Sequence, residues 1–131
     1  MSENSEQYFF NFSFFKVDPK WRWMADLAKE ESAKEVENII NNSKIMFRSY
    51  SNLGLRDDFL FWFAAPSIEE IQAVIEKLYK TVFGKYIIAS MTYLSCTRPS
   101  LYVKDQKTLG FITGDNPKKH VIVYPFTKTR E

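Results

Sequence analysis

Four short strand-type stretches and two stretches of helical spacing follow one another along the chain, and their order constrains the fold more than any other feature. The first stretch, residues 8–17, reads "YFFNFSFFKV" and places an aromatic ring at every second position: Tyr8, Phe10, Phe12 and Phe14. A period of two is typical of a strand with one buried face. The three other strand-type stretches are residues 44–52, 59–65 and 86–96. The stretch "FLFWFAA" is apolar at every position, so we expect it in the centre of a sheet.

The two intervening stretches predict helices. The first helix, from residue 19 to about residue 41, begins at Asp18-Pro19, because aspartate accepts from unpaired N–H groups and proline fits the first helical position. The second helix, over residues 68–82, follows a capping box made of Ser67 and Glu70. We expect Gly84 to end this helix in the left-handed conformation.

The order β-α-β-β-α-β is that of a ferredoxin-like α+β sandwich, in which both helices cover one face of a four-stranded sheet. The other face carries several aromatic side chains, so we expect a partner sheet to bury it, as in a dimeric α+β barrel. We therefore assign residues 1–98 to a ferredoxin-like N-terminal domain and residues 99–119 to a linker loop. Residues 120–131 begin with a further strand-type stretch and form the first strand of a second such unit.

Composition excludes several classes of function. A formal net charge of +2 is too small to indicate nucleic acid as a partner, and the third strand-type stretch lacks the glycine–aromatic run of RNA-recognition domains. No apolar run is long enough to span a bilayer. The one cysteine, Cys96, lies in an apolar stretch, where a buried thiol is expected, and it fits a reducing compartment. We predict a cytoplasmic protein that contacts neither membrane nor nucleic acid.

Few side chains suggest chemistry by themselves. His120 is the only histidine and has no partners at metal-binding spacing, so we expect a surface residue. Arg56 is expected to pair with the aspartates at positions 57 and 58 at the surface. Arg48 either points outward or points inward with a partner, and the sequence leaves both open.

Tyr124 and Lys128 lie four residues apart in the last strand-type stretch. A tyrosine in a cleft can donate a hydrogen bond or relay one electron, and a nearby lysine can bind a carboxylate. The alternative is a tyrosine packed in the core and a solvated lysine.

Four segments resemble the chlorite dismutase family, which includes the coproheme decarboxylases. They are "FSFFKVDPKWR" (12–22), "FRSYSNLGLRDDFLFWFAAP" (47–66), "YLSCTRPSLYVK" (93–104) and "VYPFTKTRE" (123–131). The resemblance implies a subunit of two ferredoxin-like halves whose sheets join into a barrel. It also implies that haem or coproheme binds in the C-terminal half, on an axial histidine that lies outside this chain. The resemblance implies a homo-oligomer, a pentamer or hexamer in the family, and leaves a dimer open for this chain. The partner sheet is then either the second half of the same polypeptide or another chain.

Within that family, the decarboxylase branch carries a "Y-P-x-x-K" motif, which matches Tyr124 and Lys128. The resemblance implies that Tyr124 is catalytic and relays an oxidising equivalent from peroxide-activated haem iron to a porphyrin propionate, which becomes a vinyl group. Lys128 would bind a propionate by charge-assisted hydrogen bonding. The resemblance therefore favours the N-terminal part of a coproheme decarboxylase or peroxidase of haem biosynthesis.

Two other functions stay open at this point. The first is a standalone interaction module that dimerises sheet to sheet. The second is a small barrel oxygenase without haem. The reading frame beyond Glu131 distinguishes them, because the haem enzyme needs a second half with a histidine.

Overall fold

The computed structural model describes residues 7–52, 56–97 and 119–129. These residues contain one antiparallel sheet of four strands: β1 (Phe9–Val17), β2 (Met46–Ser51), β3 (Phe59–Ala65) and β4 (Ile87–Cys96). Two α-helices are present, α1 (Asp26–Asn42) and α2 (Ile68–Tyr79), with 3₁₀ helices at Pro19–Trp23 and Phe83–Tyr86. The order along the chain confirms the ferredoxin-like α+β prediction.

The strands lie side by side in the order β2-β3-β1-β4. Strand β3 is one of the two central strands, as its apolar sequence predicts, and every residue of it after Phe59 is buried. Strands β2 and β4 form the two edges. Strand β1 pairs with β4 through an irregularity between Phe14 and Phe15, which shifts the register by one residue.

The hydrophobic core lies between the sheet and the helices. On the sheet it is formed chiefly by Phe15 of β1 and by Phe61 and Phe63 of β3. Helix α2 contributes the apolar stripe of its amphipathic sequence: Ile71, Val74 and Leu78. Removal of this apolar surface from water is the main stabilising term of such a sandwich.

The first predicted helix is divided in the structure, which corrects the prediction of a continuous helix from residue 19. Asp18 caps the 3₁₀ helix as expected, and its Oδ1 accepts from the N–H of Lys20 at 2.9 Å. The chain is extended at Met24 and Ala25 before α1 begins. The break is held by Trp21, whose ring packs against Phe83 and Tyr86 at centroid distances of 5.1 and 5.4 Å. Packing of the Trp21 indole thus outweighs the helical spacing of the sequence before α1.

The predicted cap of α2 is confirmed, whereas the role predicted for Gly84 is wrong. The Oγ of Ser67 accepts from the N–H of Glu70 and donates to its carboxylate. Helix α2 ends at Tyr79, and no described glycine has a positive φ. Gly84 lies instead in the second 3₁₀ helix, where an added Cβ would lie 2.7 Å from the Cα of Tyr79. Close backbone approach, rather than a left-handed turn, requires glycine here.

Residues 119–129 belong to no strand of the described sheet. The assignment of residues 120–131 to the first strand of a second unit stays a prediction. The linker predicted over residues 99–119 lies almost wholly outside the described residues.

Candidate functional site: an aromatic sheet face and a terminal tyrosine–lysine segment

The sheet face opposite the helices, here called the aromatic face, carries mostly apolar and aromatic side chains. Residues directly opposite in antiparallel strands project to the same side, so the register defines three rows across all four strands. In the order β2, β3, β1, β4 the rows are Met46–Ala64–Phe10–Ser95, Arg48–Trp62–Phe12–Tyr93 and Tyr50–Leu60–Phe14–Met91. Arg48 is the only charged side chain in these rows.

The middle row places three planar groups against one another. The rings of Trp62 and Phe12 are stacked, with centroids 5.0 Å apart and planes inclined by 26°. The guanidinium carbon of Arg48 lies 5.4 Å from the centroid of the indole ring. This geometry is that of a cation–π contact. Arg48 therefore lies on the aromatic face with Trp62 as a partner.

Trp62 also carries an unsatisfied donor. Only 8% of the residue is exposed, and its Nε1–H is buried without a hydrogen-bond partner among the residues that the structure describes. An unpaired buried donor destabilises the folded state by about 1–3 kcal/mol. Sequence reasoning missed this row, because the apolar run "FLFWFAA" does not say which rings meet across strands.

Two aspartates between β2 and β3 accept hydrogen bonds from neighbouring strands. Asp58 accepts from the N–H of Val17 at 2.7 Å, and Asp57 accepts from the hydroxyl of Ser90. These bonds hold the start of β3 against β1 and β4. The surface pair expected for Arg56 with these aspartates is not found within the described residues, and Arg56 is exposed.

Tyr124 and Lys128 both lie in the terminal segment, residues 119–129, and both side chains are exposed. Tyr124 is 71% exposed and contacts Phe126, with ring centroids 6.1 Å apart. Tyr124 is therefore not packed in the core of the described residues. Within the described part of the chain, neither residue has a hydrogen bond, and their predicted roles stay predictions.

The remaining candidate residues do not assemble a site. His120 is exposed, as expected. Cys96 is exposed at the end of β4, which corrects the expectation of a buried thiol. Across residues 7–52, 56–97 and 119–129, no three His, Cys, Asp or Glu side chains are grouped to hold a metal ion. In the same residues, no helix has the length and apolarity needed to cross a membrane.

A four-stranded antiparallel sheet with two helices on one face defines a ferredoxin-like α+β protein. The family model described as chlorite dismutase matches residues 29–131. The chain belongs to the chlorite dismutase family.

Solved structures agree in fold. A mutant chlorite dismutase from Candidatus Nitrospira defluvii in complex with cyanide has a TM-score of 0.68 at 21% identity, over 73% of this chain and 42% of that one. The imidazole complex of the chlorite dismutase from that organism gives 0.69 at 19% identity, over 72% and 42%. A heme-binding protein from Thermus thermophilus gives 0.61 at 18% identity, over 74% and 47%. The chain thus spans less than half the length of these three proteins.

Proposed function

We propose that the chain is the N-terminal part of a haem-dependent oxidoreductase, and that the complete protein is a coproheme decarboxylase of haem biosynthesis. The family match includes the "YPFTK" segment at residues 124–128. The observation that carries the proposal is the exposure of Tyr124 and Lys128 on one short segment outside the sandwich. Both side chains are available to a porphyrin held by a second unit.

The described residues do not form a haem site themselves. Their single histidine, His120, is exposed and has no hydrogen-bond partner within the described part of the chain. A ligating histidine is normally oriented by a hydrogen bond to its second ring nitrogen. The iron ligand is therefore proposed to lie in a second unit, and the length of the matched proteins leaves room for one.

The chemistry proposed for the two residues follows from their functional groups. A propionate becomes a vinyl group by losing carbon dioxide, one proton and two electrons, and hydrogen peroxide is the oxidant that accepts the electrons. The phenol of Tyr124 can give up an electron and a proton and then regain them, which a phenyl ring cannot do. The ammonium group of Lys128 binds a carboxylate by charge-assisted hydrogen bonds and so orients the propionate.

Absorbance titration with ferric haem tests whether the iron ligand lies outside the 131-residue chain. We expect no strong Soret shift with the 131-residue chain and tight binding with the product of the full reading frame. Incubation of that product with coproheme and peroxide, followed by mass spectrometry, should show stepwise loss of carbon dioxide. A histidine-ligated haem spectrum from the 131-residue chain that disappears in His120→Ala would overturn the proposed site.

The aromatic face supports a second candidate function, a haem-free module that pairs sheet to sheet. Its rows present apolar or aromatic side chains on all four strands. A native stop codon after Glu131, together with no porphyrin binding, would favour this candidate over the haem enzyme.

A further inference from the structure

The rings of Tyr124 and Phe126 lie against each other in the terminal segment. Their centroids are 6.1 Å apart and their planes are inclined by 31°, a separation at which aromatic pairs attract each other. The two side chains are exposed to almost the same extent, 71% and 72%. Phe126 therefore contacts one side of the phenol ring, while most of the surface of both rings stays open to solvent or to a ligand.

Pro125, between the two aromatic residues, makes this contact a property of the local backbone. The pyrrolidine ring fixes φ of Pro125 at about −65° and disfavours the helical region for the preceding residue, Tyr124. In extended backbone, side chains two positions apart project to the same side, which agrees with the ring contact. The contact needs no support from the sandwich, so we expect it to persist when a second unit is present.

The relay proposed for Tyr124 depends on the direction of its hydroxyl. The hydroxyl has to point at the propionate that loses carbon dioxide, whereas a tyrosine side chain by itself samples several staggered rotamers. Orienting a freely rotating group in the reactive complex adds to the barrier of the chemical step. A neighbouring ring that already restricts the phenol removes part of that barrier. Phe126 has no acidic proton and no group that binds a carboxylate, so what it can contribute is orientation.

We propose that Phe126 is a positioning residue for Tyr124, and that its ring holds the phenol in the orientation from which the hydroxyl reaches a porphyrin propionate. This inference rests on the proposed function and adds a residue to it. Tyr124 then carries the electron and the proton, Lys128 binds the carboxylate, and Phe126 sets the direction of the phenol. Loss of the Phe126 ring should lower turnover and leave porphyrin affinity unchanged.

NMR spectroscopy of the 131-residue chain tests the orientation without haem. Cross-peaks should connect the ring protons of Tyr124 with those of Phe126. In Phe126→Ala the ring protons of Tyr124 should move towards the positions of a free tyrosine, because the ring current of Phe126 is gone. Thr127→Ala is the matched control, since Thr127 is the exposed residue directly after Phe126, and it should leave the Tyr124 signals in place.

Kinetics with the product of the full reading frame test the consequence for the reaction. Phe126→Ala should lower kcat for peroxide-driven decarboxylation of coproheme roughly two- to tenfold, the range that one aromatic contact supports. Absorbance titration should show unchanged affinity for coproheme. Phe126→Tyr should restore kcat, because the ring is present again. The double variant Tyr124→Phe/Phe126→Tyr should stay inactive, which shows that the added hydroxyl is not the relay.

Three results would overturn the role of Phe126. The first is a Phe126→Ala protein with unchanged Tyr124 signals. The second is a Phe126→Ala enzyme that binds coproheme more weakly at normal kcat, as expected if Phe126 contacts the porphyrin directly. The third is a Phe126→Tyr enzyme as slow as Phe126→Ala. Failure of the proposed function is a different result, because Tyr124→Phe itself would then turn over normally. Loss of turnover in Tyr124→Phe together with normal turnover in Phe126→Ala would contradict only the inference about Phe126.

Discussion

Phe12 and Trp62 lie directly opposite each other on neighbouring strands, and their rings stack with centroids 5.0 Å apart. The pair joins the two central strands on the face that the helices do not cover. Because β1 and β3 are distant in sequence, this contact fixes their register as well as contributing apolar burial.

A double-mutant cycle measures the contribution of this pair. We expect Phe12→Leu and Trp62→Leu to be non-additive by about 0.5–1.5 kcal/mol, the range for aromatic pairs beyond area burial. Urea unfolding of the wild type, both single variants and the double variant gives the coupling. The control cycle combines Phe12→Leu with Phe63→Leu, whose side chains project from opposite faces, and it should be additive. Equal coupling in both cycles would contradict a specific stacking contribution.

The N-terminal cap of α2 should be measurable by removal of one hydroxyl. Ser67→Ala removes the acceptor for the N–H of Glu70 and should lower the free energy of unfolding by about 1 kcal/mol. Ser49→Ala, at an exposed position of the edge strand β2, serves as the control and should change stability by less than about 0.5 kcal/mol. Denaturant midpoints with unchanged slopes provide the comparison.

Gly84→Ala should destabilise the protein although alanine normally stabilises helical backbone. The added Cβ would lie within 2.7 and 2.8 Å of the Cα and carbonyl carbon of Tyr79, and backbone atoms cannot move aside as side-chain ends do. We expect a loss of about 1–3 kcal/mol, as for other overpacked sites. Lys85→Ala, the exposed neighbour in the same 3₁₀ helix, should be nearly neutral in the same thermal melts. A more stable Gly84→Ala protein would show that the second 3₁₀ helix is not held as described.

Stability should fall at alkaline pH partly through Tyr79. Burial raises the pKa of the Tyr79 phenol above its ordinary value of 10.0, so the folded chain retains this proton at a pH where the unfolded chain has lost it. The contribution is fully present below the unfolded pKa and is lost as pH rises through the folded pKa. Tyr79→Phe should therefore lose less stability than wild type between about pH 9 and pH 11. Unfolding curves that differ by the same amount across this range would exclude Tyr79 as the cause.

In the product of the full reading frame, substitutions of Tyr124 and Lys128 should have different effects. Tyr124→Phe should abolish peroxide-driven decarboxylation and leave porphyrin affinity nearly unchanged, because only the hydroxyl is lost. Lys128→Ala should weaken porphyrin binding by roughly 1.5–3 kcal/mol, the value of a hydrogen bond to a charged group, and retain part of the chemistry. Product analysis and absorbance titration separate the two effects. Normal turnover by Tyr124→Phe would show that the phenol relays nothing.

Local spacing in the sequence determined the elements and their order. The period of two in β1 and the capping box before α2 are properties of a few neighbouring residues, and the structure reproduces both. The same order of elements specified the ferredoxin-like arrangement, since few packings place two helices on one face of such a sheet. The "YPFTK" segment indicated Tyr124 and Lys128 as candidate site residues. Their proposed roles depend on a second unit, so a single sandwich does not reveal them.

Only the tertiary structure decided which side chains meet. The run "FLFWFAA" is apolar on both faces, so no periodicity could assign Phe63 to the helices and Trp62 to the aromatic face; pairing with β1 and β2 did so. The break before α1 and the need for glycine at position 84 likewise arise from contacts between distant segments. Trp21 and Trp23 are the same residue type two positions apart, yet one is packed and the other is exposed. The physical reason is that burial depends on what the rest of the chain brings to a position, whereas periodicity records only the position itself.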